Sequence, residues 1–188
     1  MRSCSILSGR LPISGRMNKS MDLHSNRNPS PLWPWALTLY ARPGVSEALL
    51  ILQDEAGLDV CELLWGLWLL SHDRAPKTDL ASRLAPVRQW QQHYTQPLRQ
   101  LRRDLKAQAA DRPELEQMRT HIKKAELQSE RETLNRLEAL ALSASTPCLP
   151  DKAFETLSRH LIGELDTRHQ TLISQLRLES ENMAPPSC

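Results

Sequence analysis

Strand-favouring branched residues are almost missing from this 188-residue chain: three Val and six Ile stand against 33 Leu. A fold built on sheets needs the residues that are scarce here, whereas Leu is among the better helix formers. Glycine is thin as well, at six residues, too few for the repeated tight turns of an all-β protein. The four cysteines (Cys4, Cys61, Cys148 and Cys188) share no CxxC spacing. Isolated thiols suit a reducing compartment better than a disulfide framework. The longest unbroken apolar run, Leu63 to Leu70, has eight residues, against the roughly 18–20 that a bilayer-crossing helix requires. That run therefore reads as a buried helix in a soluble, cytoplasmic protein with no membrane partner. No nucleophile elbow, phosphate-cradling glycine loop or HExxH occurs, so the chain reads as a non-enzyme without a cofactor.

What is present is helical periodicity interrupted by proline. Residues 1–29 are rich in Ser and Arg, carry five basic residues against one acidic, and show no amphipathic period. Such a segment buries too little apolar surface to offset its ordering entropy. It reads as a disordered tail, and a misplaced start, with translation beginning at Met17 or Met21, accounts for it. A transit peptide has similar composition, but Pro12 and two glycines interrupt any helix. From residue 30 to 180 the pattern describes one helical domain, followed by a Pro-tipped tail over 181–188.

Within that domain, residues 31–41 form a short helix with Trp33, Ala36, Leu37 and Tyr40 at helical spacing. Pro43 is placed to open a second helix with Val45, Ala48, Leu49, Leu52 and Ala56 on one face, and Gly57 supplies a left-handed stop. Asp59 and Glu62 make a capping-box-like start to a third helix that is apolar nearly all round, hence central. These elements fill residues 30–76, and 72–77 read as a loop. Two stretches of about 30 residues then meet at Ala110–Pro113 and predict a long antiparallel hairpin over 77–143. Pro86 and Pro97 must kink or split the first of them. Its expected core series is Leu80, Leu84, Val87, Trp90, Tyr94, Leu98, Leu101 and Leu105. Asp111 is placed to cap the second, whose stripe is Leu115, Met118, Ile122, Ala125, Leu134, Leu137 and Ala141. Residues 144–150 read as a linker, and Asp151 opens a last helix over 151–180. The expected architecture is all-α: three short N-terminal helices, the hairpin and a closing helix.

Arg99, Arg102, Arg103 and Lys106 form one basic stripe at i, i+3, i+4 and i+7, opposite Leu98, Leu101 and Leu105. A stripe of this kind can neutralise nucleic-acid phosphates, but a solvated face is the simpler reading. Asp104 dilutes it, and Glu114, Glu116, Glu126, Glu130 and Glu132 downstream offer partners. Asp166-x-x-His169 puts two metal-ligand types on one helical face, yet di-metal bundles repeat such a motif and no second copy exists. Four of the five Trp lie between 33 and 68 and read as core fillers, with Trp35 the exception because it falls off the stripe.

The run LWPWALTLYARPGVSEALLILQDEAGLDVCELLWGLWLL, then WQQHYTQPLRQLRRDLK and IKKAELQSERETL, resembles a proteobacterial family of small helical proteins classed as a domain of unknown function. The likeness spans about residues 31–142 and is most specific at Tyr40–Val45 and Gly57–Val60. Cys61 stands where the family carries a polar residue. The resemblance implies a bacterial cytoplasmic helical protein and transfers no catalytic residue. It points to Tyr40, Arg42 and Asp59 as the polar residues of any family site, against the simpler reading that Arg42 and Asp59 cap helix ends. The functional expectation is a non-enzymatic interaction or adaptor protein, acting on a protein partner or on its own copy. A weak nucleic-acid binder is the alternative.

Overall fold

The computed structural model describes residues 31–148 and 150–183. The expectations for the tail and start site over 1–29, and for residues 184–188, lie outside the described residues. The fold is all-α. Helices α1 (Leu32–Tyr40), α2 (Val45–Glu55) and α3 (Val60–Leu70) are followed by α4 (Leu80–Trp90), a π-helical turn (Gln91–Thr95) and α5 (Gln96–Ala109). The long α6 (Pro113–Ala144) runs back antiparallel to α5, after which come α7 (Pro150–Leu157), a second π-helical turn (Ser158–Ile162) and α8 (Thr167–Glu181).

Helix α3 is the axle. All of its residues from Val60 to Leu70 are buried, and it packs against α1, α2, α6, α7 and α8. Trp65 and Trp68 are almost completely enclosed, consistent with a helix that is apolar on every side. Gly66 lets α7 cross closely: a Cβ built there would lie 2.4 Å from Leu157 Cδ1. In α1 the buried set is Leu32, Trp35, Ala36, Leu39 and Tyr40, a face rotated from the expected one. Trp35 is therefore core, and Trp33 is the half-buried one, with the Arg131 guanidinium 5.6 Å from its ring centroid. Between α1 and α2, Gly44 takes φ +78° just ahead of Val45, so Pro43 belongs to the turn and the helix opens two residues later than expected. Gly57, at φ +69°, is the left-handed stop that a side chain would strain.

Three other differences have local causes. The loops expected at 72–77 and 144–150 pair as a short antiparallel ribbon, β1 (Arg74–Pro76) with β2 (Ser145–Pro147). Arg74 holds it by donating from Nε to Ser145 Oγ at 2.7 Å and from Nη2 to the Ser145 carbonyl at 3.2 Å. The expected single C-terminal helix is two, α7 and α8. Gly163 at φ +70° breaks it, and Asp166 restarts it by accepting from the His169 backbone N–H at 2.8 Å. Helix α6 begins at Pro113 with Arg112, not Asp111, at its cap position. Pro86 is accommodated inside α4. Pro97, which lacks a backbone N–H, sits in the first turn of α5 directly after the π-helical turn. The hairpin's first arm is thus split there.

Candidate functional site

The inward line of the π turn and α5 runs through Thr95, Arg102 and Ala109, seven residues apart, the repeat of two helices coiling on each other. None of the three is a large apolar residue. Across the seam, α6 presents Glu126, Ser129, Glu130 and Thr133, all buried. Thr95 and Ser129 join hydroxyls at 2.7 Å. Arg102 donates from Nε to Glu126, and from Nη2 to the same carboxylate at 3.2 Å. Arg99 bridges both acids, Nε to Glu126 at 3.1 Å and Nη2 to Glu130 at 2.8 Å. Half-buried Trp90 flanks the seam, its indole N–H donating to the Ser129 carbonyl at 3.3 Å and the Arg136 guanidinium lying 4.1 Å from its ring centroid. Burial pushes the Glu130 carboxyl up to about 7; Arg99 opposes the rise, and the neighbouring Glu126 adds to it.

This arrangement corrects the expected orientation of α5. Arg102 is 5% exposed and Leu101 is 43% exposed, so arginine fills the line assigned to leucine. Tyr94 and Met118, also expected inside, are exposed, and Ala125 faces outward where Glu126 faces in. A guanidinium can replace leucine in the seam only because two fully buried carboxylates meet it; a lone buried charge is far too costly. The readable sign was Glu126 and Glu130 at i, i+4 opposite Arg99 and Arg102 in the reverse-running arm. Hydrophobic pattern alone misses it.

Next to the seam lies a polar cleft of about 590 Å³. The end of α2 and the α2–α3 junction give Gln53, Gly57, Leu58 and Asp59, and α3 gives Glu62. Facing them are Arg88 of α4, Gln91 and Gln92 of the first π turn, and Gln96 and Arg99 of α5. Leu161, from the second π turn, closes one side. Both π turns therefore border one cleft, as π bulges often border functional sites. Asp59 caps α3 by accepting from the Glu62 N–H at 2.9 Å, and holds the Gln91 amide at 3.0 and 2.9 Å. Glu62 takes a two-pronged bond from Arg88, at 2.7 Å on each oxygen.

The residues singled out from sequence are thus dispersed. Asp59 and Arg99 line the cleft together. Tyr40 is buried at the end of α1, and Arg42 pairs with Glu179 of α8. The 11 residues of α2 separate that pair from Asp59, about 16 Å at ~1.5 Å per residue. Of the basic stripe, Arg99 and Arg102 turn into the seam, while Arg103 lies 3.9 Å from Asp54 and Lys106 is exposed. Asp166 and His169 meet at 3.0 Å, with Glu55 at 3.5 Å on the other ring nitrogen, at the start of α8. Arg88, Gln91, Gln92 and Gln96 had no motif to mark them, and Glu62 was marked only as half of a capping box; the glutamines at i, i+1 and i+5 share the cleft across the π turn.

Fold and cleft together define an all-α domain with a charge-lined cleft, and among the described residues no helix is long and apolar enough to cross a bilayer. The chain belongs to the family described as protein of unknown function DUF2390, whose profile matches residues 31–137. That span covers α1 to α5 and most of α6, so the seam and nearly all of the cleft are family territory. Comparison with curated proteins and with solved structures finds no match.

Proposed function

We propose that the protein is a non-enzymatic interaction protein that docks a partner helix along the outer side of the hairpin's first arm. The supporting observation is the exposure of Tyr94 and Leu101, 53% and 43%, one heptad apart on an arm that packs chiefly on α6. Residues seven apart lie on one helical stripe, and an amphipathic partner helix reads such a stripe through aromatic and aliphatic anchors. The same stripe would serve a second copy of the chain. Nucleic-acid binding has less in its favour, since the seam engages Arg99 and Arg102 and leaves Arg103 and Lys106 outward.

The test is affinity capture with the full chain from native lysate, with and without nuclease, beside its Tyr94→Glu/Leu101→Glu variant. The reading expects a protein retained through nuclease treatment and lost from the variant, while both chains melt at the same temperature. Retention unchanged in the variant, or material that vanishes with nuclease, would overturn it.

A further inference from the structure

The cleft beside the seam has no part in that docking stripe, and its chemistry is specific enough to name a class of ligand. Its charges balance: Asp59 and Glu62 on one wall, Arg88 and Arg99 on the other. Arg99 is committed to Glu126 and Glu130 and its side chain is only 18% exposed. Arg88 is different. It spends two donors on Glu62, and its side chain is 48% exposed. A guanidinium carries about five N–H donors in a rigid fork, so roughly three remain at the cleft, on a side chain that Glu62 already holds still. Asp59 accepts three hydrogen bonds, from Glu62 and Gln91, out of about four that a carboxylate takes. It keeps capacity for a cation.

Between these fixed charges stand three primary amides, Gln53, Gln92 and Gln96, none of which makes a side-chain hydrogen bond among the described residues. Each offers both a donor and an acceptor. The apolar lining is aliphatic, Leu58 and Leu161. Among the described residues that line it no aromatic ring is available for the stacking that sugars and bases favour, and with its charges balanced the cleft offers no net positive field to a polyanion such as a nucleotide. The volume falls within the ~300–1,000 Å³ of small-molecule sites.

We infer that the cleft binds a small zwitterion of the free amino-acid class, its carboxylate on Arg88, its ammonium on Asp59, and its polar side chain among Gln53, Gln92 and Gln96. The full chain is titrated calorimetrically with each standard L-amino acid, with the N-acetyl and carboxamide derivatives of any that bind, and with inorganic phosphate. Binding of one or a few polar amino acids is expected, weakened at least ~10-fold when either charge is blocked, since each lost charged hydrogen bond costs about 1.5–3 kcal/mol. Arg88→Gln should remove the loss caused by the carboxamide. Gln92→Leu/Gln96→Leu, at two exposed positions, should weaken binding with an unchanged melting temperature. Heat with none of the amino acids, tighter binding of phosphate than of any amino acid, or affinity untouched by the glutamine double variant would each overturn the assignment.

Discussion

The region around α3 and the region around α5 are both closed by buried helix faces, yet by different physics. Around α3 the enclosed side chains are Trp65, Trp68 and leucines, each adding roughly 1.5–3 kcal/mol by leaving water. Such contacts are non-directional and tolerate one another's small shifts. Around α5 the enclosed groups are Arg102, Glu126, Glu130, Thr95, Ser129 and Thr133. Their attraction mainly offsets their own desolvation, and it does so only at fixed geometry. The first region supplies stability, whereas the second fixes register: a seam of hydroxyls and ion pairs rejects a slipped hairpin in which a buried charge loses its mate.

The largest loss is expected at Trp65 in the α3 region. Trp65→Ala should cost about 3–5 kcal/mol and lower the thermal midpoint of the whole domain. A local change confined to α7 would show that α3 is not the common core. Glu126→Gln should come next, at roughly 3–4 kcal/mol, by leaving Arg102 buried beside a neutral amide. Hydrogen exchange should then rise over residues 96–126 before it rises in α3. Arg102→Met combined with Glu126→Met should recover most of that loss; a double variant no more stable than the single one would mean the seam is a net source of stability after all.

A smaller effect comes from pH. The Glu130 carboxyl holds its proton up to about 7 in the folded chain, against 4.5 ordinarily. Folding therefore binds a proton between these values. The contribution is fully present below about 4.5 and is lost as pH rises through about 7, by at most about 3 kcal/mol. Arg99, Arg102 and Glu126 are the charged groups that face Glu130 across the seam and along α6. Glu130→Gln should flatten that part of the stability profile measured by urea denaturation from pH 4.5 to 8, and an unaltered slope would place the titration elsewhere. The smallest effect is at the cleft edge. Asp59→Ala removes the α3 cap and the anchor of Gln91, costing about 1–2 kcal/mol, with Asp59→Asn recovering the cap and so most of the loss.

Much of the α3 region was legible from residues. The all-round apolar run, the Asp59 cap and the Gly57 stop each act within a few positions of chain, so spacing reports them. The break before α8 was missed: the expected helix over 151–180 ran through Gly163 and Asp166, although both are local signals for a stop and a restart. The α5 region was not legible either. Leu98, Leu101 and Leu105 offered a plausible apolar face, and nothing within α5 says that the other face will meet two carboxylates. Of the eleven described residues that line the cleft, only Asp59 and Arg99 were marked as site candidates, and by unrelated arguments.

Sequence alone determined that this protein is helical, where most of its helices begin and end, and to which family it belongs. Those properties follow from local backbone preference and from leucine's abundance. Tertiary structure alone decided which side of α5 faces inward and which polar residues share a cleft. A buried charge becomes affordable only when its partner, some 25 residues away in the returning arm, arrives at hydrogen-bond distance.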